Sequence, residues 1–223
     1  MAKIGKAGQA DIEKIAALKP DLILGVDYGT EDKLYPKLTQ IAPTAYFSFT
    51  TTGQWEQVAA GVTDAVGRGS RNSELAAAYR STAASLRTTH QRVIDTTTWA
   101  IVNGMSDAQF TLWLPGSDAG QVLTAIGGRF VPAAAGDGDS LTLSVESLDR
   151  LADADVIVIG ADASGAPYPA TKTLTEQPGW GRLPAAEAGH VYPLATLFPF
   201  SYPQAEQLLA ELDQVCARLG GTP

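Results

Sequence analysis

Little in this chain can carry out covalent chemistry. It has one cysteine, Cys216, and two histidines, His90 and His190. The cysteine falls in AEQLLAELDQVCARL, an amphipathic helical pattern where a small buried apolar residue is expected. A lone cysteine excludes an internal disulfide and a multi-cysteine zinc or iron–sulfur site. The histidines stand far apart and in no ligand spacing such as HExxH, so no metal site built on protein side chains is expected. There is no GxSxG elbow, no P-loop and no GxGxxG after a strand. Ser117 and Asp118, in LPGSDAG, occupy a strand-to-helix turn that invites a nucleophile, yet no glycine pattern or histidine partner accompanies them. No catalytic residue is expected. Aromatic and hydroxyl side chains at the ends of strands point instead to holding a ligand.

Those side chains need a frame, and the composition permits one. The chain has 223 residues, 45% hydrophobic and 18% charged, enough to bury a substantial core. A net charge of −8 and the lack of a basic patch argue against nucleic acid as a partner. No apolar run is long enough to cross a membrane, and MAKIGKAGQ has no apolar stretch of the kind a signal peptide needs.

From residue 11 helix and strand alternate. Asp11 can cap a helix over 12–19, with Glu13 in its first turn, and Pro20 ends it. Leu22–Val26 then reads as a strand buried on both faces. A short helix near 31–38, a strand in IAPTAYFSF and a helix over 54–66 follow. NSELAAAYRSTAASLRTTHQRVID has no glycine or proline and predicts one continuous helix, capped by Asn72 or Ser73. TTTWAIVNGM and FTLWLP are strands, and DAGQVLTAIGG is a helix closed by glycines.

SVESLDRLADADVIVIGADASG then repeats the opening unit: glutamate in the first helical turn, a Leu/Ile rhythm, an acidic residue, a four-residue apolar strand and a glycine. The expected fold class is α/β, two βα lobes with parallel sheets joined by one long backbone helix. Residues 1–71 form a partial first lobe, 72–95 the connecting helix and 96–223 the second lobe. Two strands before residue 72 make a poor sheet, so the first lobe is expected to be incomplete.

The words IEKIAALKPDLILG, YPKLTQIAPTAYF, LPGSDAGQVLTAIGG, SVESLDRLADADVIVI, PGWGRLPAAEAGHVYPL and FPFSYPQAEQLLAEL, with the long helix over 73–95, resemble the helical-backbone periplasmic substrate-binding proteins of ABC importers, in their iron–siderophore branch. The resemblance runs in family order across nearly the whole chain. It implies capture of a ferric siderophore and delivery to an ABC-transporter permease, without chemistry or a resident cofactor. It also implies a periplasmic or cell-envelope location, with a lipid anchor in the full-length precursor. Against the family pattern, the signal peptide, the anchoring cysteine and the opening strands of the first lobe are expected to be missing here. An open sheet edge in the shortened lobe makes self-association an expectation.

In a two-lobed α/β protein a ligand sits at the carboxyl ends of the strands. That singles out Tyr28, Phe49, Trp113, Ser117, Phe198, Phe200 and Tyr202, with Ser140 in the loop before the helix bearing Glu146. Arg129, just past a helix C-terminus, is a candidate because many siderophores are anionic. Aromatic walls with a few hydroxyl or cationic groups suit a bulky, oxygen-coated ferric complex. Trp99, Tyr46 and Trp180 are expected in cores, and Trp113 suits either setting. Glu13 and Glu146 hold matching places in the repeated units. The resemblance makes them permease contacts, although acids there also complement the helix dipole. Cobalamin and haem are rival cargoes on the same scaffold, and an α/β enzyme is the competing class. A continuous helix between lobes should resist bending and keep closure on ligand small.

Overall fold

The computed structural model describes residues 3–6, 9–27, 33–49 and 52–221. The chain divides into two units, Met1–Asn72 and Ser73–Pro223.

In the first unit β1 (Gly5–Lys6) and β2 (Gln9–Ala10) pair antiparallel. α1 (Ile12–Ala17) follows because Asp11 caps it: Oδ1 accepts the Lys14 N–H at 3.1 Å, satisfying a donor that the helix start leaves unpaired. Lys19, at φ 47, turns the chain out of the helix before Pro20. β3 (Ile23–Asp27) then runs parallel to β4 (Thr44–Ser48), with α2 (Tyr35–Leu38) between them. Gly25 is needed in β3 because Tyr46 lies across it: a Cβ there would sit 2.1 Å from the ring. α3 (Trp55–Ala65) supplies the fully buried Trp55. β3 has only β4 beside it among the described residues, and its Leu24 is 42% exposed.

The long helix differs from the expected single rod over 73–95. α4 (Gly69–Thr89) begins earlier, and a break at His90 separates it from α5 (Gln91–Thr96). No glycine or proline marks the break. His90, at φ −110 and ψ 24, leaves helical geometry and pairs its Nε2 with Asp213 Oδ1 at 2.8 Å. Ala76, Tyr79, Ala83 and Leu86 form the buried stripe of α4, at the three- and four-residue steps that keep side chains on one face.

The rest of the second unit wraps one mixed sheet. Its strands are β5 (Thr98–Gly104), β6 (Gln109–Trp113), β7 (Arg129–Phe130), β8 (Ser140–Ser144), β9 (Val156–Gly160) and β10 (Val191–Leu194), with α6 (Asp118–Ala125) between β6 and β7. α7 (Pro169–Thr175) and α8 (Pro184–Glu187) lie between β9 and β10, and α9 (Tyr202–Gly220) closes the chain. The order is β10-β9-β5-β6-β8, with β7 beside β5. β9, β10 and β7 run parallel to their partners, whereas β6 is antiparallel to both β5 and β8. The second sheet is therefore not purely parallel as expected. The turn from Met105 to Ala108 is too short for the crossover that a parallel connection requires.

One sheet face, through Ala100, Val102, Phe110, Leu112, Ile157 and Ile159, packs on Leu148, Leu151, Leu174, Trp180 and Leu183. Strand alternation turns Trp99, Ile101 and Val158 to the other face. α9 packs against α5, α6 and β10. The repeated unit survives at both sites. Glu146 follows its cap Ser144 as Glu13 follows Asp11, and β9 begins at the spacing at which β3 begins. The second copy, Val145–Leu151, is a 3-10 helix kinked at Ser147.

Candidate functional site

Three neighbouring parallel strands, β10, β9 and β5, direct their carboxyl ends to one edge of the second sheet. The segments that leave this edge are 105–108, 161–168 and 195–201. Each is fixed locally. The hydroxyl of Thr171, on α7, accepts the Gly104 N–H at 3.1 Å and ties α7 to the end of β5. Asp162 accepts the N–H groups of Ser164 and Ala166 at 2.8 and 3.2 Å, folding the segment after β9 into a tight turn. The Ser164 hydroxyl, its main partner, and these backbone donors hold the Asp162 carboxyl below the usual carboxylate range. After β10, Thr196 donates through N–H and hydroxyl to the Glu211 carboxylate, and Gln204 Oε1 accepts the Phe200 N–H at 2.8 Å.

The antiparallel run of β6 separates the predicted site residues into two groups. Phe200 lies at the carboxyl edge and is 45% exposed. Trp113 stands opposite Ile101 and Ser140, away from that edge. It nonetheless meets the same segment, because Phe198 packs edge-on against it with ring centroids 5.1 Å apart. Ser117 and Arg129 lie at the far end. Ser117 is 2% exposed and caps α6: its hydroxyl donates to Leu114 O at 2.8 Å and accepts the Gly120 N–H at 3.0 Å. That geometry occupies the hydroxyl structurally. Arg129 pairs opposite Thr98 at the amino end of β5 and donates from Nη1 to Asp95 O at 2.9 Å.

Ser140 donates its hydroxyl to Asp139 Oδ1 at 3.0 Å. Tyr202 is buried, its ring 5.9 Å from that of Tyr79 on α4. Phe49 is buried in the first unit, and its N–H donates to Asp27 O at 2.7 Å. Tyr28 lies outside the described residues. Trp99 and Trp180 are core residues as expected, while Tyr46 is only partly buried and packs with Tyr35 at 5.7 Å.

Glu13 and Glu146 are both exposed. Beside Glu146 is a groove of about 430 Å³, lined also by Asp149, Gln177, Arg182 and Leu183. Among the described residues no group of three or more metal-ligating side chains comes together. Burial, and to a lesser degree the nearby Asp213, push the Cys216 thiol up to about 12. The sequence did not single out Asn103, Met105 or Tyr168. Their signal was available as the word NGM ending one strand and the APY segment after another.

Residues 1–196 match the family described as periplasmic binding protein, and the chain belongs to that family. Its fold is similar to that of the siderophore periplasmic binding protein from the fuscachelin gene cluster of Thermobifida fusca, at 30% identity and a TM-score of 0.84. That match covers 96% of this chain and 81% of the other. Two Bacillus subtilis proteins are also similar. A putative ABC transporter substrate-binding lipoprotein, YhfQ, is 27% identical over 203 residues, and a probable siderophore-binding lipoprotein, YfiY, is 24% identical over 196. Each match covers 85% of this chain, which spans 60% of either relative's length.

Proposed function

We propose that the protein captures a ferric siderophore outside the cytoplasm and hands it to the permease of an ABC importer. The observation that carries this reading is the likeness to the Thermobifida fusca siderophore binder over 96% of the chain. The edge where β5, β9 and β10 end supports it, since α/β sheets take ligands at that end. Trp113 with Phe198, and Phe200 nearer the rim, supply aromatic surface for a bulky complex. The protein acts as a carrier, in the cell envelope, and a lipid anchor belongs to its full-length form.

Tryptophan fluorescence titrated with ferric siderophores, haem and cobalamin tests the reading. Saturable quenching by a ferric siderophore is expected, and most of it should vanish in Trp113→Phe. Quenching by haem or cobalamin alone would replace the cargo.

Glu13 and Glu146 serve as permease contacts, one from each unit. Exposure of both and the groove beside Glu146 favour this role over dipole compensation alone. Glu13→Ala and Glu146→Ala should each cut siderophore uptake by about tenfold while leaving ligand affinity unchanged, as loss of a docking charge pair predicts. Unchanged uptake in both variants would remove the assignment.

A further inference from the structure

Three large apolar side chains are exposed among the described residues of the second unit: Met105, Tyr168 and Phe200, at 57%, 37% and 45%. Each stands in the segment that follows a different one of the three parallel strands, β5, β9 and β10. Core packing accounts for none of them, and an unrelated scatter would not place one after each strand.

Between the first two sits a polar group. Asn103 is 9% exposed, and its Oδ1 accepts no hydrogen bond, an uncommon state for a buried amide. Gly160, on the adjacent strand, makes room for it. A Cβ there would lie 2.5 Å from Asn103 Nδ2 and 2.9 Å from the Tyr168 ring. The bare Cα therefore seats an amide and an aromatic ring side by side at the strand ends.

Charge narrows what this edge can hold. The segments 105–108, 161–168 and 195–201 contain two carboxylates, Asp107 and Asp162, and neither lysine nor arginine. Lys172, on the helix after Tyr168, is within 3.9 Å of Glu176, and Arg129 lies at the far end of the sheet. Arg218 lines a groove with Ala163, Ser164, Gly165 and Ala195, but Glu211 shares that groove, so within the three segments themselves a multiply charged anion meets carboxylates and no cation.

We infer that the carboxyl edge of the second unit takes a ferric chelate of neutral or positive net charge, of the hydroxamate type, against Met105, Tyr168 and Phe200, with the Asn103 amide as its polar contact. Hydroxamate chelates combine methylene linkers, which suit these apolar side chains, with amide and carbonyl groups that an asparagine can meet. The inference rests on the reading of the protein as a ferric-siderophore carrier and adds the chemical class of the cargo.

Binding of ferrioxamine B, a cationic hydroxamate complex, is to be compared with binding of ferric enterobactin and ferric citrate, which are anionic, by fluorescence quenching and calorimetry. Ferrioxamine B should bind at least about tenfold more tightly than either anion, the discrimination expected when like charges meet across an interface. Tyr168→Ala and Met105→Ala should each weaken ferrioxamine B by about five- to tenfold, as loss of an exposed apolar contact predicts, without moving the unfolding temperature. Asp107→Lys should narrow the gap between the two classes. Equal or tighter binding of the anionic complexes overturns the inference and leaves the carrier reading intact. Binding of no ferric complex of either class overturns both.

Discussion

The same helix–strand unit occurs in both halves of the chain, and its strand has a different environment in each. β9 is buried at all five positions between β5 and β10. In β3 no position is fully buried, and Leu24 is 42% exposed. Each copy has four aliphatic residues in its apolar run, over 22–26 and 156–159, although β3 also includes Gly25 and Asp27. What differs beyond that is the set of neighbours, so the pattern encodes the element while the surrounding sheet determines its contribution to stability.

Substituting matched positions tests this directly. Ile157→Ala, in the second place of β9, should cost about 2–5 kcal/mol through lost burial and the cavity left behind. Leu24→Ala, at the same place in β3, should cost under about 1 kcal/mol. Urea unfolding measures both, and equal losses would end the comparison. Cys216 sharpens it, because the first unit contains no cysteine. With its thiol pushed up to about 12, it should resist labelling at pH 8 until the second unit opens. Ile157→Ala should accelerate labelling strongly and Leu24→Ala hardly at all.

The caps give the smallest effect. Ser144→Ala should cost about 1 kcal/mol at any pH, since a hydroxyl cap does not titrate in the usual range. Asp11 behaves differently. The Lys14 N–H, above all, holds its carboxyl below the ordinary value of 3.8. Its contribution is therefore fully present above that pH and is lost as pH falls through the lower folded value. Acid titration of Asp11→Asn beside the parent should show the difference only in the parent, and identical curves would assign the cap no such role.

The sequence made the repeated unit legible because caps, acids and apolar runs are local signals. α6 and the strands TTTWAIVNGM and FTLW were legible for the same reason. The direction of β6 was not inferred, although the short turn from Met105 to Ala108 encodes it. That omission assigned Ser117 to an edge that it does not share with Phe200. The break at His90 had no local signal, since its partner Asp213 is distant in sequence. The burial of Tyr202 against Tyr79 is likewise a long-range fact.

The reversal at β6 also has a practical side. It sends the exposed stretch Ala135–Gly138 to the end of the sheet opposite Met105, Tyr168 and Phe200. Gly136 and Gly138 have φ of 155 and 118 and open space around them, so the backbone there is already committed to a loop. A surface tether spliced in at that loop would anchor the second unit by its far end and present the three apolar side chains outward. An environment-sensitive dye at Ser106 would then sit on the rim that meets the cargo, giving an immobilised iron-chelate sensor with its handle and its reporter on opposite ends of one sheet.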